Sequence, residues 1–277
     1  MIALEDNFED VLMKAATGLG LGKVVLAERA GLSVPVVDAL LQGELDESAL
    51  RAVAPVLRLS EEALVAMAFG HWQPEPLAVD GLACLNSPFP VPGYAEMTVN
   101  SYLVWSPDTG EAAVFDTGTN AEGLLQKVEA LGLELRSLFL THTHRDHVAA
   151  YDALLKNKPQ LCCLAPAEEP FRNAGSVAHG DVFICGSLQI AARATPGHSP
   201  GGTSFVVRGL ARPLAIVGDA LFCLSQGGVG QTHYESAMDA NRSEILSLPE
   251  ETILCPGHGP LTTVKSERLR NPFYVQK

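Results

Sequence analysis

Four segments of the chain share one construction, in which a short apolar run ends within a few positions in histidine or aspartate. The apolar runs predict buried strands, and rigid strands hold the loops that follow them at one edge of a sheet. The polar side chains of all four segments are therefore expected to meet there. The segments are L-F-L-T-H-T-H-R-D-H from Leu138, A-R-A-T-P-G-H from Ala192, A-I-V-G-D from Ala215 and I-L-C-P-G-H from Ile253.

The first of these segments carries three histidines and an aspartate within six positions. In an extended chain His142 and His144 point the same way, because side chains repeat every two residues. The chain is then expected to turn into a helix, from about His147 to Lys156, so that Asp146 and His147 face a neighbouring point. The spacing thus presents two pairs of ligands to two nearby cations.

Composition limits the classes of function that fit the chain. Apolar residues make up 47% of the 277 residues, which predicts a sizeable core, and the formal net charge is −13. Such acidity repels nucleic acid and anionic membrane surfaces. No apolar run approaches the length of a transmembrane helix, and the acidic segment 1–10 differs from the basic, then apolar, start of a signal peptide. A cytoplasmic protein acting on a small molecule is expected.

The pattern changes near residue 74, after which the P-E-P sequence predicts a linker. Residues 1–73 are predicted to form a small all-helical domain, and residues 74–277 an α/β domain in which strands and helices alternate. The helices predicted in the first domain are Lys23–Ala30, Val34–Leu41, Glu47–Leu57 and Glu61–Ala68.

The segment from Leu26 to Glu44 resembles the helix-turn-helix of phage repressors. Its second helix, V-P-V-V-D-A-L-L-Q, is mostly apolar, and residues 1–73 hold 5 basic against 11 acidic side chains. A helix that reads DNA needs polar groups for base edges and basic neighbours for phosphates. We therefore expect this domain to mediate interaction, as in a homodimer, and a DNA-binding regulator is the lesser alternative.

The motifs T-H-T-H-R-D-H, T-P-G-H-S-P-G-G, G-D-A-L-F and P-G-H-G-P together resemble the metallo-β-lactamase-fold hydrolases, in particular the short glyoxalase II-like branch. The resemblance covers about residues 80–265 and implies an αβ/βα sandwich with a binuclear metal site between the edges of two sheets. One cation would be bound by His142, His144 and His198, and the other by Asp146, His147 and His258, with Asp219 bridging both. The F-D-T-G-T motif implies that Asp116 orients a ligand and does not itself bind metal.

The implied ligands also imply the chemistry. Imidazoles with carboxylates suit Zn²⁺, and Fe or Mn accept the same donors. Two divalent cations sharing a water would produce a hydroxide that attacks an acyl carbonyl. Asp146 would act as the catalytic residue that orients the nucleophile and passes on its proton. A thioester fits best, because a thiolate needs less protonation to leave than an amine does.

Related branches differ at particular positions. Zinc β-lactamases lack the aspartate that Asp219 supplies, and some lactonases carry tyrosine where this chain has Phe222. Persulfide dioxygenases share the motifs but use one iron, through the equivalents of His142, His198 and Asp219, and are the main alternative. Substrate contacts are expected from Phe222, His233 and Tyr234, which follow the bridging aspartate.

Overall fold

A computed structural model describes residues 2–275 of the chain. From Phe8 to Ala68 its regular elements are all helices. Three of the four predicted helices have the predicted bounds, but the third ends at Val53, four residues early. Pro55 follows it and has no N–H with which to continue the helical hydrogen bonds. A further helix precedes the four. The helices are α1 Phe8–Gly18, α2 Lys23–Ala30, α3 Val34–Leu41, α4 Glu47–Val53 and α5 Glu61–Ala68.

Two six-stranded sheets follow. The first has the strand order β1-β2-β3-β4-β5-β6, and its strands are β1 Leu82–Pro88, β2 Thr98–Trp105, β3 Glu111–Phe115, β4 Glu134–Phe139, β5 Cys162–Pro166 and β6 Gly175–Val177. The second has the order β12-β11-β10-β9-β8-β7, and its strands are β7 Val182–Cys185, β8 Leu188–Ala194, β9 Thr203–Arg208, β10 Leu214–Gly218, β11 Ile253–Pro256 and β12 Thr262–Thr263.

Helices cover the outer faces of both sheets, which confirms the predicted αβ/βα sandwich. Phe115 and Phe139 of the first sheet meet Phe205 of the second in the core between them, with ring centroids 5.1–5.5 Å apart. The remaining helices are α6 Ala121–Ala130, α7 Arg145–Val148, α8 Tyr151–Asn157, α9 Tyr234–Ala240 and α10 Val264–Arg270. The prediction of a single helix over His147–Lys156 is wrong, because the helical structure is interrupted after Val148, between α7 and α8.

The helices α1–α5 pack on the outer face of the second sheet. Leu12 and Leu64 share one apolar cluster with Val217 of that sheet. A Cβ added at Gly18 in α1 would lie 2.1 Å from the ring of Tyr234, so glycine is required for this close approach. The helices α1–α5 before residue 74 and the second sheet after it thus share one core. The division into two domains stays a prediction, as does a homodimer.

Among residues 2–275, no helix is both long and apolar enough to cross a membrane.

A buried carboxyl group ties the C-terminal helix to the second sheet. Glu267 in α10 is fully buried and accepts hydrogen bonds from the Thr262 hydroxyl (2.7 Å), the Leu224 backbone N–H (3.0 Å) and the Asn271 amide (2.8 Å). Burial outweighs these donors and raises the pKa of Glu267 to about 7. An acid whose pKa is raised on folding stabilises the fold in its protonated form.

We predict that Glu267 makes the protein less stable as pH rises. Its contribution is fully present below the unfolded pKa near 4.5 and is lost as pH rises through about 7. The free energy of unfolding should therefore fall by up to about 3 kcal/mol from this group alone between pH 5 and pH 8. In Glu267→Gln, whose neutral amide accepts and donates in the same place, that part of the fall should disappear. Urea unfolding at both pH values measures it.

The exposed Glu251→Gln supplies the matched control for the acid-to-amide change, since its side chain lies on the surface. Parallel stability profiles for wild type and Glu267→Gln would contradict the prediction.

Candidate metal centre

The directions of the strands bring the four motifs to one edge of the sandwich. Parallel pairing does so for β4, β10 and β11, and β8 runs in the same direction as β10 because both pair antiparallel with β9. In the first sheet Phe115 pairs with Phe139, so the residues that follow β3 and β4 leave the sheet side by side. In the second sheet Gly218 pairs with Pro256, so the ends of β10 and β11 also meet. The carboxyl ends of neighbouring parallel strands are where α/β proteins collect functional side chains.

Three histidines form a first cluster at this edge. The side-chain nitrogens of His142, His144 and His198 lie within 4.8 Å of one another, and His198 Nε2 is 3.0 Å from His144 Nδ1. His142 is buried, whereas His144 is exposed. The cluster therefore opens to solvent on the side of His144.

A second cluster lies next to the first. Asp146 and His147 come from the short helix α7, and His258 from the loop after β11. His258 Nε2 is 3.1 Å and His147 Nε2 is 3.6 Å from Asp146 Oδ2. The break between α7 and α8 makes α7 a separate turn that carries both ligand-type side chains.

Asp219 lies between the two clusters. Its Oδ2 is 3.4 Å from His198 Nε2 and 3.3 Å from His258 Nε2, and its Oδ1 is 3.2 Å from His147 Nε2. His142 Nε2 is 4.0 Å away. One carboxylate thus reaches both sets of imidazoles, and the structure brings together all seven residues that the resemblance implied as ligands.

The donor atoms fit divalent cations. Three buried side-chain atoms of the two clusters have no hydrogen-bond partner within the described part of the chain, namely His142 Nε2, His147 Nε2 and Asp219 Oδ1. Unpaired buried polar atoms are costly, and a cation among them would satisfy all three. Gly257 leaves room for this arrangement, since a Cβ there would lie 2.1 Å from Asp219 Oδ1.

The charges of the cluster agree with this fit. Burial and the neighbouring His147 hold the pKa of His142 well below its usual value. Burial also opposes protonation of His147 and His258, but Asp219 outweighs it and raises their pKa values to about 10 and about 11. The pKa of Asp219 stays well below its usual value, because His258 and His147 outweigh its burial. A bound cation would replace these protons and neutralise the carboxylates.

Hydrogen bonds from Nδ1 fix the orientation of three of the imidazole rings. His147 Nδ1 donates to Asp116 Oδ2 (2.8 Å), and His258 Nδ1 donates to the carbonyl oxygen of Thr98 (2.7 Å). His198 Nδ1 donates likewise to the carbonyl of Gly228 (3.0 Å). With Nδ1 held as a donor, Nε2 is the nitrogen that would bind a cation once its proton is lost, as in other metal-binding histidines.

Asp116 supports histidines of both clusters through hydrogen bonds. Besides His147 it accepts the backbone N–H and the hydroxyl of Thr141, each at 2.8 Å, and the Thr141 oxygen lies 3.0 Å from His142 Nδ1. Asp116 itself has a φ of 55°, in the left-handed region that aspartate and asparagine tolerate better than other non-glycine residues. It therefore orients one histidine of each cluster.

Glu169, which the sequence did not indicate, connects two of the metal-site loops. Its Oε1 accepts the backbone N–H of Thr143 (2.8 Å), and its Oε2 accepts that of Gly201 (3.0 Å) and the Ser199 hydroxyl. Burial raises the pKa of Glu169, but the bonds from Ser199 and Thr143 outweigh it and hold the pKa below its usual value. The loop of His142 and His144 is thus clamped to the loop of His198. Glu169 lies in an ordinary A-E-E-P sequence, which carries no signal of this role.

The three residues expected to contact substrate lie in different surroundings. Phe222 is buried and packs its ring against His258, with centroids 5.5 Å apart. Tyr234 is buried against α1, and His233 is exposed in the turn before α9. Phe222 thus packs against a proposed ligand and Tyr234 against α1, and contact of the three residues with substrate stays a prediction.

Comparisons with known proteins agree with the fold. Residues 95–180 match the family model described as the metallo-beta-lactamase superfamily. Hydroxyacylglutathione hydrolase GloC of Haemophilus influenzae is 31% identical over 210 residues, which cover 64% of this chain and 93% of that protein. The probable metallo-hydrolase YqgX of Bacillus subtilis is 31% identical over 63% of this chain and 91% of its own length.

Solved structures give the same result. ETHE1 from Myxococcus xanthus has a TM-score of 0.55 at 29% identity, covering 63% of this chain and 78% of that one. TTHA1623 in a di-iron-bound form has a TM-score of 0.52 at 27% identity, covering 64% and 96%. The fold and the clustered histidines and aspartates define a metal-dependent hydrolase. The chain belongs to the metallo-β-lactamase superfamily.

We predict that Asp116→Asn weakens metal binding about 10–100-fold, the usual cost of losing a partner behind a ligand. Asparagine keeps the left-handed backbone and the shape of the side chain, so the change removes the charge and replaces one acceptor oxygen by a donor NH2 group. Competition with a chromogenic chelator measures the affinity. Asp152→Asn, an exposed carboxylate on α8, is the control; equal affinities for Asp116→Asn and wild type would contradict the role given to Asp116.

Proposed function

We propose that the protein hydrolyses a thioester or a related ester at a centre of two divalent cations, Zn²⁺ being the ion that best suits the donors. The observation that carries the proposal is the position of Asp219, whose two oxygens reach imidazoles of both clusters. The proposed ligands of the first cation are His142, His144 and His198, and those of the second are Asp146, His147 and His258, with Asp219 shared.

Bound cations of this kind polarise an acyl carbonyl and lower the pKa of water. The chain's own contribution is to orient and move a proton. Asp146 is buried, and its Oδ2 lies 3.1 Å from His258 Nε2. We assign to Asp146 the orientation of the attacking water and the transfer of its proton towards the leaving group.

A thioester is favoured because the site contains a single candidate proton carrier. Among the seven proposed site residues of the described chain, Asp146 and Asp219 are the carboxylates, and Asp219 is enclosed by imidazoles. A thiolate leaves with little protonation, since a free thiol has a pKa near 8.5, whereas an amine must be protonated first. The name hydroxyacylglutathione hydrolase, carried by the GloC relative, describes thioester cleavage and supports this class.

A single-iron dioxygenase acting on persulfides is the second candidate. It would use His142, His198 and Asp219, and Asp219 Oδ2 lies within 4.0 Å of both Nε2 atoms. The di-iron form of TTHA1623 indicates that a related centre holds iron. Metal identity and substrate class must therefore be measured together.

The decisive experiment combines metal analysis of the purified protein with assays on thioesters, lactones and glutathione persulfide. We expect about two divalent cations per chain and thiol release from thioesters, detected with a disulfide reagent. One iron per chain, with oxygen consumed in the presence of the persulfide and no thioester cleaved, would overturn the proposal in favour of the dioxygenase.

We predict that Asp146→Asn lowers kcat for thioester cleavage about 10²–10⁴-fold, the range for removing a proton-transfer group. Metal content is measured on the same sample, so that loss of a cation is separated from loss of the proton carrier. Asp239→Asn, which removes an exposed carboxylate on α9, is the control. A variant that keeps its cations and more than a tenth of wild-type kcat would refute the assignment of Asp146.

A further inference from the structure

A cavity of about 870 Å³ lies between helix α1 and the loops that support the metal centre. This volume is typical of a small-molecule site. One wall is apolar and comes from the loops before β2 and after β10, and the other wall is the first half of α1 with the segment before it. The apolar wall includes Val91, Tyr94, Met97 and Val229, and the helical wall includes Glu5, Asp6, Glu9, Asp10 and Lys14.

Three contacts connect the cavity with the metal centre. Gly228, which lines the cavity, accepts the hydrogen bond from His198 Nδ1 (3.0 Å). Met97, also a lining residue, precedes Thr98, the acceptor for His258 Nδ1. Glu5 Oε2 lies 3.9 Å from the same nitrogen. The cavity therefore adjoins both clusters, whose buried atoms without partners mark the place of the reaction.

The helical wall is acidic. Of the described residues that line the cavity, four are carboxylates and Lys14 is the one cation. Lys14 Nζ is bonded to Asp6 and to the carbonyl of Gln226 (2.8 Å), and lies 4.7 Å over the ring of Phe222. Lys14 is thus neutralised by Asp6 and held by the chain itself. Glu5, Glu9 and Asp10 leave a net negative wall.

We propose that this wall selects the thiol part of the substrate, and that the substrate is an apolar acyl thioester of a neutral or cationic thiol. The inference rests on the thioester hydrolysis proposed above. A carboxylate brought near the wall meets repulsion that low dielectric surroundings strengthen. Glutathione carries two carboxylates and one ammonium group, so its thioesters are disfavoured. The acyl chain is accommodated by the apolar wall.

The test uses ligands that cannot be cleaved. Hexyl thioethers of thiocholine, N-acetylcysteamine and glutathione carry a positive, a zero and a negative net charge on one apolar chain. Calorimetry on the metal-loaded protein at low ionic strength should rank their affinities in that order. We expect the hexyl thioether of thiocholine to bind about 10-fold more tightly than that of glutathione. This ratio of affinities should shrink as salt is added.

A charge series at one position separates electrostatics from folding defects. Glu9 lines the cavity and makes no ion pair among the described residues. Glu9→Gln should lower the ratio of the thiocholine ligand's affinity to the glutathione ligand's affinity about 3-fold, and Glu9→Lys should lower it about 10-fold. Glu28→Gln, an exposed acid on α2 away from the cavity, should leave the ratio unchanged. A structural role alone would not follow the sign of the charge.

Hexanoyl thioesters of the same three thiols then report turnover. Tighter binding of the glutathione ligand, or a ratio that does not respond to the charge at position 9, overturns the inference even if thioesters are cleaved. Cleavage of none of the three, with the binding order as expected, refutes the proposed reaction and leaves the selection by charge supported.

Discussion

The arrangement of the site depends on one buried carboxylate. Asp219 is 7% exposed, and its negative charge is tolerated there because imidazoles surround it. A buried charge of this kind must be paired or bound to metal. The two sheets meet at the edge where β10 delivers Asp219, and the motifs of the first sheet converge on it. The separation between the histidine clusters is thus set by the reach of a single side chain.

Rigidity around this carboxylate comes from bonds that run between loops. Asp116 holds one histidine of each cluster, and Glu169 joins the His142 loop to the His198 loop. Both carboxylates accept backbone N–H groups, so they fix the chain as well as the side chains. A centre that must bind cations in one geometry is supported in this way, since the ligands lose little freedom on binding.

The sequence predicted the sandwich and the convergence of seven residues, because strand ends are local patterns and strands that run in one direction end at the same edge of a sheet. It did not predict β1 (Leu82–Pro88), whose mixed polar and apolar residues are extended only because they pair with β2. Glu169 and Glu267 were not identified either, since their roles depend on partners from other loops. Helix α1 was missing from the predicted helices, although its first turn faces the cavity.

The proposed reaction and the proposed selection of the thiol by charge therefore involve different parts of the chain. The proposed ligands His142, His144, Asp146 and His147 lie within residues 95–180, the segment that matches the family model, whereas the acidic wall lies in α1, outside it. Likeness in the matched segment carries information about the proposed reaction but none about the charge of the cavity wall. Because α1 packs against α9 at Gly18 and shares an apolar core with the second sheet, it holds its carboxylates at the cavity beside the centre. A substrate inferred from the family alone would therefore leave out this acidic wall, which lies outside the matched segment.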